Sequence, residues 1–121
     1  MYYEAFKAAQ SSDHVFKLAA FADKRSGIFG INNRNKMTSR FRRRYKNSDV
    51  CCYDRHAEVD LLLKLNYTPK KITVVRFLSD GSFTMARPCV HCQNFLRFAG
   101  VREVKYTNWS GQWETLSLRN S

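Results

Sequence analysis

The sequence predicts an α/β fold: a mixed sheet of five strands with helices on both faces, which makes three layers. Two observations indicate this architecture. Segments with helical periodicity alternate along the 121-residue chain with short runs rich in β-branched and aromatic residues. The last two of these runs are separated by only four residues, Asn108 to Gly111, a spacing that makes the two strands antiparallel neighbours.

The first part of the chain is predicted to hold one helix and two strands. Residues 4–10 show a short helical pattern. Residues 14–22 and 27–31 are predicted strands around a turn at residues 23–26. A long basic loop then runs over residues 32–55.

The second helix follows this loop. Asp54 is its predicted N-cap, and the apolar residues after Glu58 continue its buried face. The helix stops before Pro69, because the residue before a proline disfavours helical geometry. Residues 71–78 are β-branched and form the third predicted strand.

The last part of the chain contributes a helix and a hairpin. Residues 88–99 are predicted to be helical, with Gly100 as the residue that ends the helix. Residues 101–107 and 112–118 are the final two strands, which pair as an antiparallel hairpin.

Composition predicts a single domain spanning residues 1–121. A chain of this length can bury a sizeable core, and its hydrophobic content of 44% is ordinary for a globular protein. The first residues lack the basic start and apolar run of a signal peptide, and no apolar stretch approaches membrane-spanning length. We therefore expect a cytoplasmic protein with reduced thiols and no membrane partner.

Two short motifs carry the chemistry. His56 is followed two positions later by Glu58, and roughly 30 residues further on Pro88 precedes Cys89 and Cys92. A catalytic zinc takes three protein ligands and leaves its fourth position to water, and one imidazole with two thiolates supplies those three. With Pro88 at the first helical position, both cysteines lie on one face of the first turn, where the helix dipole favours thiolates.

Glu58 is the predicted acid/base residue. Helical residues two positions apart point to opposite faces, so His56 and Glu58 converge on one metal only if His56 lies at the frayed start of the helix. Bound zinc lowers the pKa of its water toward neutrality. A carboxylate nearby can then move the protons. Cys51 or Cys52 as a fourth ligand would instead make a closed structural site, which has no use for Glu58.

These motifs match the H-x-E and P-C-x-x-C signature of zinc deaminases. The chain resembles the cytidine and deoxycytidylate deaminase superfamily over nearly its whole length. The resemblance implies the family's three-layer fold, a Zn²⁺ cofactor, and a hydrolase of nucleotide metabolism acting on an amidine C–N bond. Its substrate would be cytosine in a nucleoside or nucleotide, converted to uracil with release of ammonia.

The resemblance also implies substrate contacts. Asn32 matches an asparagine that hydrogen-bonds the substrate in relatives, with Asn33 as the alternative if the register shifts by one. Ala57 and the backbone around Arg87 would meet the base edge. The family pattern usually continues with Lys, Thr and His, whereas this chain has Lys36-Met37-Thr38 and no His. The departure concerns the positions from which the ribose and phosphate contacts of relatives would be expected.

Charge indicates an anionic partner. The formal net charge is +11, and basic residues concentrate in the loop that leads to the first predicted metal ligand. They are Arg34, Lys36, Arg40, Arg42, Arg43, Arg44, Lys46 and Arg55. Of these, Arg40, Arg42, Arg43 and Arg44 are the predicted contacts to a nucleotide phosphate or to a nucleic-acid backbone. The interleaved Phe41 and Tyr45 could stack on bases, and a solvated basic loop is the alternative.

Several alternatives stay open from the sequence. The main one is a cytosine deaminase acting on single-stranded DNA or RNA. An adenine deaminase of the transfer-RNA type shares the metal motif, and a non-enzymatic zinc module for nucleic acid would not need Glu58. Many relatives are dimers or tetramers, so a homo-oligomer is also open.

Four further residues are assigned structural roles. Asp60 and Lys64 are predicted to form an ion pair on the surface of the second helix. Trp109 and Trp113, in the last hairpin, are predicted packing residues.

Overall fold

The computed structural model describes residues 2–11, 17–22, 27–32, 57–65 and 67–118. These residues form one open mixed sheet of six strands with three helices. The helices are α1 (Tyr2–Ala9), α2 (Ala57–Lys64) and α3 (Val90–Ala99). The strands are β1 (Lys17–Phe21), β2 (Gly30–Ile31), β3 (Lys71–Phe77), β4 (Phe83–Thr84), β5 (Glu103–Thr107) and β6 (Trp113–Ser117).

The sheet has the order β2-β1-β3-β5-β6, with β4 also paired to β3. β3 and β5 pair in parallel through the crossover that contains α3, and the other pairs are antiparallel. The predicted mixed sheet and its final hairpin are therefore confirmed. The predicted count of five strands was wrong, because β4 returns through the turn at residues 78–82 and places Phe83 opposite Phe77. A two-residue strand is too short to show a periodicity in sequence.

The two faces of the sheet carry different helices. Side chains alternate along β1 and β3, so that Ala19 and Val75 face α1 while Ala20 and Val74 face the opposite side. The α1 side holds Ala5, Ala9, Phe21 and Phe77 as well. The opposite side packs against α2 and α3 through Leu61, Leu62, Phe95 and Leu96 among others. Helices on both faces are thus confirmed.

The start of α3 differs from the prediction by two residues. The helix begins at Val90, and Cys89 is its N-cap with an extended backbone at φ −67° and ψ 167°. The first helical hydrogen bond runs from the Gln93 amide to the Cys89 carbonyl oxygen, at 2.8 Å. Pro88 is buried in the extended segment before the cap and is not the first helical residue, as was predicted.

The end of α3 is where the sequence predicts it. Gly100 adopts a left-handed conformation with φ 107°. Its amide donates to the Arg97 carbonyl oxygen at 3.2 Å, and the Val101 amide donates to the Leu96 carbonyl oxygen at 2.9 Å. This pair of bonds is a Schellman motif, and both Val101 and Leu96 are buried in the core.

The strand directions place several element ends at one edge of the sheet. We call the edge at which β3 and β5 end, marked by Phe77 and Thr107, the carboxyl edge. The helices α2 and α3 each end shortly before the start of a parallel strand, at the opposite edge of the sheet. Both helices therefore begin near the carboxyl edge. β1 runs antiparallel to β3 and therefore starts here, with Lys17 opposite Phe77. Within the described ranges, no helix is both long and apolar enough to cross a membrane.

Candidate active site

The carboxyl edge is where most of the described candidate residues lie. Asn32 follows β2, Glu58 is in the first turn of α2, and Cys89 and Cys92 are at the start of α3. In open α/β sheets, ligands bind outside the carboxyl ends of the parallel strands. His56 directly precedes the first described residue of α2 and lies outside the described residues. Asp54, the predicted N-cap of this helix, also lies outside them.

Close approach of β2 to α2 depends on a glycine. A Cβ atom on Gly30 would collide with the carbonyl oxygen of Ala57 and the amide nitrogen of Leu61, and would lie 2.7 Å from the Leu61 Cβ. Only a residue without a side chain allows the strand to pass here. The first turn of α2 is therefore set directly against the end of β2.

Asp60 fixes the same contact with hydrogen bonds. Its Oδ2 accepts the Ile31 backbone amide at 2.9 Å and pairs with the Lys64 ammonium at 2.9 Å. Lys64 also donates to the Phe29 carbonyl oxygen at 2.9 Å. The predicted Asp60–Lys64 pair is present, but its placement on the helix surface was wrong. The Asp60 side chain is only 2% exposed because β2 covers it.

Asn32 is buried at the end of β2. Its Oδ1 accepts the backbone amide of Leu18 at 3.0 Å. This bond ties the side-chain amide to the start of β1 and sets its orientation at the carboxyl edge. Asn33, the alternative residue, lies outside the described residues.

Glu58 and Ala57 are both buried, with 3% and 1% of their surfaces exposed. Glutamate is seldom buried this fully unless its carboxylate is paired. Burial of an ionisable group is also a common property of catalytic residues. The position of Glu58 in the first turn of α2 is therefore unlike that of a solvated surface glutamate.

The two cysteines occupy the positions of a helix capping pair. Cys89 is exposed and Cys92 is fully buried, and neither is in a disulfide. Side chains at the N-cap and at the third helical residue lie on the same side of the first turn. The Cys89 side chain makes no capping hydrogen bond, so it is not used to close the helix. The positive end of the helix dipole favours the thiolate form of both groups.

Three hydrogen bonds that the sequence did not reveal fix the segment that leads into α3. The Ala86 amide donates to the Thr107 carbonyl oxygen at 2.8 Å, and the Thr107 hydroxyl donates to the Thr84 carbonyl oxygen at 2.5 Å. The Gln93 Nε2 donates to the Pro88 carbonyl oxygen at 2.8 Å. A threonine at the end of a predicted strand and a glutamine just after the second cysteine were the sequence signals for these contacts.

Arg87 is exposed and lies close to the β5–β6 hairpin. Glu114 accepts hydrogen bonds from the Tyr106 hydroxyl at 3.0 Å and from the Asn108 Nδ2 at 2.7 Å. The bond from Asn108, then that from Tyr106, lowers the pKa of Glu114, and the Arg87 charge adds to this. Burial, followed by the interaction with Glu114, raises the pKa of Tyr106 against the opposing effect of Arg87.

The tryptophans of the hairpin differ from each other. Trp113 packs edge to face on Phe83 with 5.8 Å between ring centroids, and the Lys105 ammonium lies 4.9 Å from its ring centre. Its predicted packing role is confirmed. Trp109 is 73% exposed at the hairpin turn, so the packing role predicted for it was wrong.

Two of the three predicted zinc ligands, Cys89 and Cys92, lie among the described residues. Among them, no three His, Cys, Asp or Glu side chains come together as a metal-binding group. The predicted imidazole ligand, His56, lies outside the described residues. Cys89 and Cys92, at the start of one helix, fit the two thiolate positions of a His-Cys-Cys site.

The predicted phosphate contacts Arg40, Arg42, Arg43 and Arg44 also lie outside the described residues.

No protein-family model matches the chain, and no curated protein was found to match it. The family resemblance therefore rests on the two motifs and on the order of the elements.

Proposed function

We propose that the protein is a zinc-dependent hydrolytic deaminase that converts cytosine to uracil in a nucleoside or nucleotide, on a cytidine deaminase-like fold. One observation carries the proposal. A buried glutamate, Glu58, and a cysteine pair, Cys89 and Cys92, stand at the starts of two different helices that open on the same edge of the sheet. The H-x-E and P-C-x-x-C motifs supply these residues together with His56.

The metal ligands in this proposal are His56, Cys89 and Cys92. When bound, zinc would supply Lewis-acid chemistry that lowers the pKa of a water molecule. Glu58 would take one proton from the attacking water and deliver it to N3 of cytosine as the C4–O bond forms; it would then take the remaining proton of that oxygen and give it to the amine as the C4–N bond breaks and ammonia leaves. Burial of Glu58 suits this role, since a carboxylate shielded from bulk solvent exchanges its proton with the bound substrate.

Cytosine is held at the edge by three groups in this account. The Asn32 side chain, oriented by its bond to Leu18, hydrogen-bonds the substrate. Backbone groups at Ala57 and Arg87 meet the base edge. Gly30 and Asp60 act indirectly, because they press the first turn of α2 against β2 and so set the spacing between Asn32 and Glu58.

A substrate panel tests the proposal. Purified protein is incubated with cytidine, deoxycytidine, their monophosphates and adenosine, and the products are resolved by mass. Conversion of at least one cytosine substrate, with adenosine unchanged, is expected. Glu4→Gln, which alters an exposed glutamate on α1, is the matched control and should retain activity. Conversion of adenosine alone, or of nothing by zinc-loaded protein, contradicts the proposal.

A deaminase acting on single-stranded DNA or RNA is the second candidate. The net charge of +11 and the basic loop with its interleaved Phe41 and Tyr45 favour it. Replacing Arg42, Arg43 and Arg44 with Gln separates the two. If the substrate is a mononucleotide, it offers one phosphate. The triple variant should then show a raised KM for the nucleotide, while the unphosphorylated nucleoside reacts equally well with both proteins. If the substrate is a single strand, it offers many phosphates. The slope of log binding constant against log salt concentration should then become shallower in the triple variant by about 0.7 for each lost phosphate contact.

A further inference from the structure

The edge of the sheet opposite the carboxyl edge holds a cleft of about 400 Å³. It lies where β3 and β5 begin, and we call it the basic cleft. Its lining residues are Lys70, Lys71, Arg102, Glu103 and Ser117.

Backbone hydrogen bonds fix the residues around this cleft. The amides of Arg102 and Glu103 both donate to the Lys70 carbonyl oxygen, at 2.8 and 3.1 Å. A Cβ atom on Gly100 would lie 3.7 Å from the Thr68 methyl group, so the two chain segments run side by side. The cationic side chains therefore project from a defined framework.

The cleft has an excess of positive charge. Among the described residues that line it, Glu103 alone is acidic, and it pairs with Lys71 at 3.2 Å. Lys70 and Arg102 are exposed, and neither forms an ion pair with any residue in the described part of the chain. Two cations are thus available to an anionic ligand.

An exposed aromatic residue lies close in sequence to one of these cations. Tyr67 is 51% exposed and lies three residues before Lys70, in the segment that joins α2 to β3. Cations next to an exposed aromatic ring are typical of surfaces that bind single strands, since the cations meet phosphates and the ring stacks on a base. An acidic peptide would use the charges but not the ring.

We propose that the basic cleft binds the phosphodiester backbone of single-stranded nucleic acid, with Lys70 and Arg102 on phosphates and Tyr67 stacked on a base. Lys71 is six residues along β3 from Phe77, which separates the cleft from the carboxyl edge by about 20 Å. The cleft is therefore a second site, and its occupation does not depend on the proposed deaminase activity.

Binding of a fluorescently labelled single-stranded oligonucleotide, followed by anisotropy over a series of salt concentrations, tests this site. The double variant Lys70→Gln/Arg102→Gln should bind more weakly, with a log-log salt slope reduced by about 1.4, or 0.7 for each lost phosphate contact. Tyr67→Ala should weaken binding about five-fold or more, the loss expected for one base stack. Lys7→Gln on α1 is the matched control and should retain the wild-type slope.

Three results would overturn the assignment: no binding by the wild-type protein, a wild-type salt slope in the double variant, or an equal loss in Lys7→Gln. Displacement of the oligonucleotide from the wild-type protein by polyglutamate at a lower concentration of negative charge than unlabelled strand requires would point to an acidic protein partner instead. Thermal unfolding of each variant checks that the fold is retained. Because binding is the readout, this test stands even if no substrate is deaminated.

Discussion

Asp60 on α2 accepts a hydrogen bond from the backbone amide of Ile31 on β2, with 2.9 Å between the two atoms. The same carboxylate pairs with Lys64, which in turn donates to the Phe29 carbonyl oxygen. These bonds join the helix that carries Glu58 to the strand that precedes Asn32. The geometry of the candidate site therefore depends on a contact between elements far apart in sequence.

Replacing Asp60 with Ala should lower the free energy of unfolding by about 1–3 kcal/mol, because the substitution leaves the part-buried backbone amide of Ile31 without its acceptor. Urea unfolding measures this. Asp80→Ala is the control: Asp80 is exposed and bonds only within its own turn, to Ser82, so a smaller effect is expected. Equal losses in the two variants would show that the Asp60 contact does not stabilise the fold.

Gly30→Ala should destabilise the protein more than Gly27→Ala does. At Gly30 the added methyl group meets the backbone of α2, and overpacking of this kind costs about 1–3 kcal/mol or more. At Gly27 a Cβ atom meets nothing within 4 Å, and the cost is limited to the strain of its φ of +69°. Chemical denaturation of both variants gives the comparison. A Gly30→Ala protein as stable as wild type would contradict the close packing of β2 on α2.

Glu114 should contribute to the acid sensitivity of the fold. Its pKa in the folded protein is lowered from 4.5 by hydrogen bonds from Asn108 and Tyr106. A carboxylate with a lowered pKa stabilises the fold above its unfolded pKa, and the contribution is lost as pH falls through the folded value. Glu114→Gln should therefore show a smaller loss of stability on acidification below about pH 4.5 than wild type. Parallel curves for the two proteins would rule out this contribution.

Zinc content should follow the two motif cysteines. The protein should bind one zinc ion per chain, and Cys89→Ser or Cys92→Ser should lose metal and stability together, because metal affinity is coupled to folding. Cys51→Ser and Cys52→Ser are matched controls and should keep zinc. Metal analysis by mass spectrometry decides this. Full zinc retention in Cys92→Ser, or loss in Cys51→Ser, would require a different ligand set.

The sequence predicted those parts of the fold that depend on local pattern. Strand alternation and the four-residue turn at Asn108 to Gly111 predicted the final hairpin, and Gly100 predicted the end of α3. β4 was missed because two residues show no periodicity. The start of α3 was placed at Pro88 and not at Val90, because a proline is compatible both with the first helical turn and with the extended segment before it.

The candidate site was predictable in its residue types but not in its supports. Motif spacing predicted Glu58, Cys89 and Cys92 as site residues, and the structure places the elements that carry them at one edge of the sheet. The burial of Asp60 could not be foreseen, because a spacing of four to Lys64 is equally typical of an exposed helix pair. Gln93 and Thr107 act through contacts to backbone atoms of distant segments, which sequence spacing does not report.

The most direct test of the deaminase account is the rate of uracil formation by Glu58→Gln at the same zinc content as wild type. Glutamine keeps the size of the side chain but cannot carry the proton, so the rate on the best cytosine substrate should fall at least about 100-fold while fold and metal are retained. Turnover near the wild-type rate in the zinc-loaded variant would contradict the role of Glu58 and with it the proposed chemistry.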